Sequence, residues 1–255
     1  MIQIKTEKEI EYMRESGRIV ALALDAIEKA IKPGVTTKEL DRIAEQVLKE
    51  NGAKPSFKGQ EGFEGSKPYP ATICASVNNQ VIHGIPGSYK LQEGDIISID
   101  MGALKNGYHG DAARTFAVGN ISEEAQKLID VTRECFFEGI KMAKVGYRLS
   151  DLSNAIQQYV EANGFSVVRE FVGHGIGREL HEDPQVPNYG KSGHGPRFTK
   201  GMVIAVEPMV NAGHYDIDIL NDRWTVVTSD GSLSAHYENT IVITDGEAEI
   251  LTMIK

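Results

Sequence analysis

The sequence predicts an α+β protein built as two similar halves around antiparallel strands. Two observations carry that expectation: an ungapped internal repeat, and short apolar strands joined by tight turns. The repeat aligns residues 32–52 with residues 144–164 at a constant offset of 112. Lys32/Lys144, Gly34/Gly146, Leu40/Leu152, Gln46/Gln158, Asn51/Asn163 and Gly52/Gly164 are identical pairs. A long helix precedes each copy. The first spans roughly Glu7 to Ile31, with a Thr6/Glu9 capping box and an apolar stripe at Val20, Leu24, Ile27 and Ile31. The second spans roughly Glu123 to Ala143. Each copy then forms a shorter helix, the first opened by a Thr36/Glu39 capping box. Gly52 and Gly164 end the pair at the position where a left-handed residue is favoured. Residues 7–52 and 123–164 thus read as two helical hairpins. Chance similarity between amphipathic hairpins is the competing explanation. Duplication is favoured, with one unit over residues 1–255 and a site where the halves meet.

Strand signals follow each hairpin. Residues 71–82, 95–102 and 108–118 belong to the first half, and 167–173, 202–207, 223–228 and 236–243 to the second. Tight turns between neighbours imply antiparallel pairing. Residues 175–196 are rich in Gly and Pro and read as irregular.

Composition narrows the classes. The chain has 255 residues and 41% hydrophobic content, enough for one large core or two joined ones. No apolar run approaches the ~20 residues that cross a bilayer, and the first ten residues lack a signal-peptide core. Two cysteines, Cys74 and Cys135, suggest free thiols in a reducing compartment such as the cytoplasm. A net charge of −9 argues against nucleic acid as the main partner, though not against a local basic patch docking on a ribosome.

The chemistry starts from Asp100 and Asp111. Both lie in strand-like segments separated by residues 104–107, which read as a four-residue hairpin loop. That loop pairs Ala103 with Tyr108, and therefore Asp100 with Asp111. Directly opposed side chains lie roughly 5 Å apart at Cβ, where like charges repel. A divalent cation between them turns repulsion into attraction. A slipped register, with the two carboxylates apart on a wet face, is the alternative. Three further residues are of metal-binding type. His174 sits between glycines, Glu207 ends an apolar run before Pro208, and Glu238 lies in a second such run. Singly, each has a structural reading: His174 caps a turn, Glu207 pairs with an arginine, Glu238 faces solvent. Together they make one imidazole and four carboxylates. Such a set suits Mn²⁺, Fe²⁺ or Co²⁺ rather than structural zinc. Four carboxylates also carry too much charge for one divalent ion, whereas two ions sharing a water neutralise them.

These residues, in their order and spacing, resemble type I methionine aminopeptidases of the bacterial type. His174-Gly-Ile-Gly with His181, Asp100 and Asp111, Glu207-Pro-Met, Glu238, His83-Gly-Ile-Pro and the segment 221–228 carry the resemblance, which covers nearly the whole chain. It implies the pita-bread fold, two pseudo-symmetric halves with antiparallel sheet and flanking helices. It implies hydrolysis of the N-terminal methionine of nascent proteins when the second residue is small, by a water activated between two divalent metal ions. In the family pattern Asp100 chelates one ion, Asp111 and Glu238 bridge both, and His174 and Glu207 bind the other. Glu207 is the candidate for proton transfer. His83 and His181 match two histidines that contact substrate without binding metal. Read from the residues alone, either is equally well structural.

The resemblance also implies that Tyr69, Cys74 and Trp224 line an apolar methionine pocket; core packing is the bland reading for Cys74 and Trp224. Departures occur here. Residues 57–70 form a longer loop than in many members, so either Phe57 or Phe63 fills the pocket. Leu180 stands where some members have phenylalanine, and Asn239 where many have histidine. His109 neighbours Asp111 and is either structural or a partner of the ligands; His194, His214 and His236 read as structural. The likeness further implies a monomer that meets nascent chains, with transient ribosome contact and no membrane or nucleic-acid role. The rival enzyme readings are prolidase and aminopeptidase P, which share the fold and metal set but usually carry an extra N-terminal domain. A non-catalytic pita-bread binding protein is the third, and such relatives lose metal ligands.

Overall fold

A computed structural model of the chain describes residues 1–62 and 65–254. Among the described residues, four helices lie where the apolar stripes and caps place them. They are α1 (Glu7–Ala30), α2 (Thr37–Glu50), α3 (Glu123–Ile140) and α4 (Leu149–Ala162). Both threonine capping boxes form, the Thr6 and Thr36 hydroxyls accepting from the amides of Glu9 and Glu39. A hydroxyl cap of this kind contributes about 1 kcal/mol by satisfying an otherwise orphaned amide. Helices α2 and α4 have the same length and stand 112 residues apart. Gly34 and Gly146, also 112 apart, share φ +93°, and Gly52 and Gly164 both adopt positive φ. The Asn51 and Asn163 side chains each donate to the carbonyl four residues back, at 2.9 and 2.8 Å.

The strands of the first half are β1 (Lys54–Pro55), β2 (Ile73–Val77), β3 (Gln80–Ile82), β4 (Ile96–Lys105) and β5 (Tyr108–Ala117). Those of the second are β6 (Ser166–Val167), β7 (Gly173–Gly175), β8 (Glu182–Val186), β9 (Val203–Val206), β10 (Met209–Asn211), β11 (Ile217–Ile219), β12 (Val226–Thr228), β13 (Ser234–His236), β14 (Asn239–Val242) and β15 (Glu249–Ile250). Every strand pair is antiparallel. In the first half β4 is central, with β5 on one edge and β2 and β1 on the other. In the second, β15-β14-β9-β7-β8 form one sheet and β13-β10-β6 another.

The β4–β5 hairpin differs from its expected register by two residues. Lys105 pairs with Tyr108, leaving Asn106-Gly107 as a two-residue turn with φ +54° and +80°. Asn-Gly is the pair best suited to a turn with both central residues left-handed, and it displaces the looser four-residue loop. Asp111 therefore faces Gly102, and Asp100 faces Ala113. Side chains alternate with period two, so a slip of two keeps both carboxylates on one face, now as diagonal neighbours. Two other expectations are corrected. Residues 175–196 contain β8, which extends the edge beyond β7. The expected strand 236–243 breaks at Tyr237-Glu238, where the chain passes from one sheet to the other.

The break at Glu238 has a counterpart across the ladder. Pro208 lacks an amide proton and separates β9 from β10. The paired strands β9/β14 and β10/β13 therefore change sheets at the same level, with Tyr237 donating to Pro208 O at 3.2 Å. At that level the second half joins β5. Glu238 and Ala113 exchange backbone bonds of 2.9 and 3.3 Å. Two threonine hydroxyls continue the seam. Thr240 bonds the Asp111 amide and carbonyl at 3.0 and 2.9 Å, and Thr115 bonds those of His236 at 2.9 Å each. The three contacts keep one antiparallel register, so the seam behaves as a pairing with alternate bonds supplied by side chains.

Two buried clusters flank the seam. One joins α1 and α2 to the first-half sheet, with Met13, Val20, Ile27, Leu40, Ile73 and Ile99 inside it. The other joins α3 and α4 to the second, around Phe136, Leu152, Ile156, Ile204 and Ile241. Helix α1 crosses β5 so closely that a Cβ on Gly110 would stand 2.8 Å from the Gly17 amide nitrogen.

A candidate metal centre at the seam

Five acidic or imidazole side chains meet where β4, β5, β7 and the two sheet-switch points converge. Asp100 and Asp111 come from the hairpin, His174 from the three-residue strand β7. Glu207 and Glu238 come from the switch points, where neither lies in a regular ladder. Glycine makes the placement of His174 possible. A Cβ on Gly173 would meet Ala205 O at 2.4 Å, and one on Gly175 would meet Asp183 O at 2.1 Å. The glycines thus let β7 sit tightly between β8 and β9. His174 Nδ1 lies 2.8 Å from Gly175 O, which makes Nδ1 the protonated nitrogen and leaves the Nε2 lone pair free. Nε2 stands 3.5 Å from a Glu207 oxygen.

Ligand-type atoms of Asp111, His174 and Glu238 lie within 4.8 Å of one another, and so do those of Asp100, His236 and Glu238. Glu238 belongs to both groups. One oxygen each of Asp100, Asp111 and Glu238 is buried without a hydrogen-bond partner. Buried carboxylate oxygens without donors cost several kcal/mol unless a proton or cation meets them. In the absence of a cation the protein holds protons there. Burial, then the neighbouring carboxylates, pushes Asp100 and Glu238 well above the usual range; burial and then Asp111 do the same to Glu207. Burial raises Asp111 to about 7. Burial acts oppositely on the imidazoles, lowering His174 and His236 to about 3 and His83 to about 4. Neutral imidazoles and crowded carboxylates are the donor chemistry of a divalent-cation site, so the residues fit such an ion.

A cavity of about 830 Å³ opens over these groups. Tyr69, Cys74 and Trp224 line it, as do Phe57, Leu180, His83 and His181. The Tyr69 and Trp224 rings meet edge-on at 5.0 Å, and Trp224 Nε1 donates to Lys67 O at 2.8 Å. Gly62 presses so closely on Trp224 that a Cβ there would lie 2.5 Å from the ring. Phe57 is therefore at the cavity; Phe63 lies outside the described residues. His83 holds φ +59°, at the end of β3, and its ring meets Phe171 and Trp224 edge-on. His181 packs against His174, with ring centres 4.5 Å apart. His109 bonds Ser56 Oγ at 2.8 Å. Asn239 accepts from Arg114 at 2.6 Å and Thr252 at 2.9 Å.

A family model described as "Metallopeptidase family M24" matches residues 11–245. The chain belongs to metallopeptidase family M24. Within the family, it is 61% identical over 255 residues to the methionine aminopeptidase of Clostridium perfringens, each covered in full. It is 57% identical to methionine aminopeptidase 1 of Bacillus subtilis, again across all of both chains. The crystal structure of the Thermotoga maritima methionine aminopeptidase superposes with a TM-score of 0.95 at 48% identity, covering all of both chains. The Pyrococcus furiosus prolidase gives a TM-score of 0.77 at 25% identity, over 99% of this chain and 66% of that one. The M24 fold is thus shared with prolidases, and the pita-bread architecture follows from both likenesses. Membership of a metallopeptidase family and the ligand cluster together support use of divalent metal. No helix among the described residues is long and apolar enough to cross a membrane.

His236 is the residue that the sequence reading left structural and the structure brings to the cluster. Its only sequence signal is its place two residues before Glu238. In a regular strand that spacing puts two side chains on one face.

Proposed function

We propose that the chain is a metal-dependent methionine aminopeptidase, releasing N-terminal methionine from nascent proteins when the next residue is small. The carrying observation is the convergence of four carboxylates and His174 under an apolar cavity, in a chain so close to methionine aminopeptidases. Asp100, Asp111, His174, Glu207 and Glu238 would hold two divalent ions of the cobalt, manganese or iron type. When bound, such ions would acidify a water and polarise the substrate carbonyl.

The remaining work falls to the chain's own groups. The Glu207 carboxyl takes the proton released in attack and returns it to the leaving amine. His83 and His181 can donate to the substrate carbonyl oxygen or contact the scissile amide, and burial favours the neutral form of both. Tyr69 and Trp224 receive the thioether, since sulphur packs well against aromatic edges, and Cys74 closes the wall. The crowded Gly175–His181 turn favours a small second residue.

The proposal extends to context. Residues 1–255 act as one catalytic domain, descended from a duplicated helical-hairpin half. It works as a cytoplasmic monomer, with transient ribosome contact and no membrane or nucleic-acid role. Two free cysteines and a charge of −9 support the compartment and the absence of a nucleic-acid role. The test is hydrolysis of Met-Gly-Met against an Xaa-Pro dipeptide, with and without chelator. Chelator-sensitive methionine release supports the reading. Xaa-Pro cleavage instead gives a prolidase, and neither gives a binding protein.

A further inference from the structure

His236 sits one residue before the switch point that carries Glu238. Thr115 clamps its backbone on both sides, and Met209 pairs with it across the ladder. The side chain is 1% exposed, and neither ring nitrogen has a hydrogen-bond partner. Leaving such a nitrogen unmet costs roughly 1–3 kcal/mol, so a buried imidazole with two orphaned nitrogens needs an account. Its surroundings supply one. Nε2 stands 3.8 Å from a Glu238 oxygen, too far for a hydrogen bond. One ring nitrogen of His236 and one carboxylate oxygen each of Asp100 and Glu238 lie within 4.8 Å of one another.

This arrangement repeats the one at His174. There Nε2 stands 3.5 Å from a Glu207 oxygen, again beyond a strong hydrogen bond. Two atoms bound to one ion at about 2.1 Å stand about 3–4 Å apart, which both pairs satisfy. Each sheet-switch glutamate therefore has an imidazole beside it, and the two imidazoles serve the two ligand groups that share Glu238. Unlike His174, His236 has no carbonyl holding its other nitrogen. Its tautomer is set by what it meets rather than by the backbone.

We infer that His236 is a second nitrogen donor of the metal centre, directed at the ion carried by Asp100 and Glu238. The inference rests on the dimetal reading of this site. It makes the centre two imidazoles and four carboxylates, one nitrogen for each ion. A nitrogen donor at the Asp100 ion would shift its preference toward metals that favour imidazole, such as cobalt, over those that favour oxygen alone, such as manganese.

The test compares metal-free wild type, His236→Gln, His236→Ala and His174→Ala. Cobalt binding is measured by calorimetry, and coordinated imidazole by cobalt X-ray absorption on the loaded proteins. The expected result is about a tenfold or larger loss of affinity for one ion in both His236 variants, with a smaller loss for manganese. The imidazole scattering of the loaded His236 variants should fall to about half that of wild type, as it should in His174→Ala. Thermal melts in chelator check that the variants fold, and His236→Gln keeps a polar side chain of similar reach should His236→Ala unfold. Unchanged imidazole scattering and cobalt affinity in folded His236→Gln overturn the inference. The failure of the metal reading itself looks different: His174→Ala would then also leave both signals unchanged.

Discussion

The two halves deliver their site residues in opposite ways. The first supplies Asp100 and Asp111 from a regular ten-by-ten-residue hairpin, where period-two geometry alone puts both on one face. The second supplies Glu207 and Glu238 from the points where strands stop being regular, and His174 from a strand of three residues walled by glycine. Regularity fixes position cheaply but allows few directions. The switch points release side chains from alternation, so carboxylates from two strands turn toward a partner on a third. A site that must surround a cation needs both: a rigid floor and donors aimed from the sides.

Removing His174 should have the largest effect. His174→Ala is expected to lower kcat/KM at limiting metal by at least about a thousandfold, because a misplaced ion loses both positioning and polarisation. Circular dichroism should show the protein still folded. Wild-type turnover in the variant would mean that the floor alone suffices. The next effect lies in the substrate. Met-Ala peptides should be cleaved at least about a hundredfold more efficiently than Met-Leu peptides, since a bulky second residue displaces the carbonyl. Equal kcat/KM for the two would show that the crowded Gly175–His181 side does not restrict the site.

The floor depends on how closely α1 covers it. Gly110→Ala places a methyl 2.8 Å from the Gly17 amide nitrogen, so β5 or α1 must shift. A loss of about 1–3 kcal/mol in urea unfolding is expected. An unchanged midpoint would mean that the hairpin floor is not held by this contact.

Metal-free protein should show how the floor and the side donors titrate against each other. His83, His174 and His236 have lowered folded values, so the unfolded chain binds more protons below its ordinary histidine value of 6.5. Their contribution is complete above that pH and is lost as pH falls to about 3–4. Asp111, raised to about 7, and Asp100, Glu207 and Glu238, raised well above the usual carboxyl range, act the other way. The folded state holds protons that the unfolded chain has released, so stability falls as pH rises through the folded values. Melts in chelator should therefore weaken as pH rises from about 6.5, where the histidine contribution is complete, toward the Asp111 value of about 7, by up to ~1.4 kcal/mol per pH unit for each proton involved. A Tm rising over that range would contradict the burial of these carboxyls.

The smallest effect on stability is the most pointed. Asp111→Asn should abolish activity yet leave the metal-free melt unchanged or slightly higher, because it removes a buried carboxyl crowded by another. A much lower melt in excess chelator would mean that Asp100 and Asp111 do not repel.

The same contrast explains what could be read from the sequence. Helices α1 to α4 were legible because capping boxes and apolar stripes are local. The hairpin register was not, since Asn106-Gly107 competes with a longer loop whose cost depends on strand twist. Asp100 and Asp111 still share a face because an error of two residues preserves it. Glu207 was marked by Pro208, a covalent signal. The break at Tyr237-Glu238 has no such mark, because it comes from the pairing of residues 236–240 with β5 across the seam. His236 was overlooked for the same reason. Strand β8 hid in a Gly- and Pro-rich stretch because its pairing with β7 is tertiary.

The central claim is that both halves feed one two-ion centre. Calorimetric titration of cobalt into metal-free wild type, Asp100→Asn and Glu207→Gln, each paired with methionine release from Met-Gly-Met, tests it most directly. The account predicts two ions bound by wild type, with each variant losing one high-affinity ion and both losing methionine release, although their mutations lie in different halves. Retention of wild-type stoichiometry and release in either variant would contradict it.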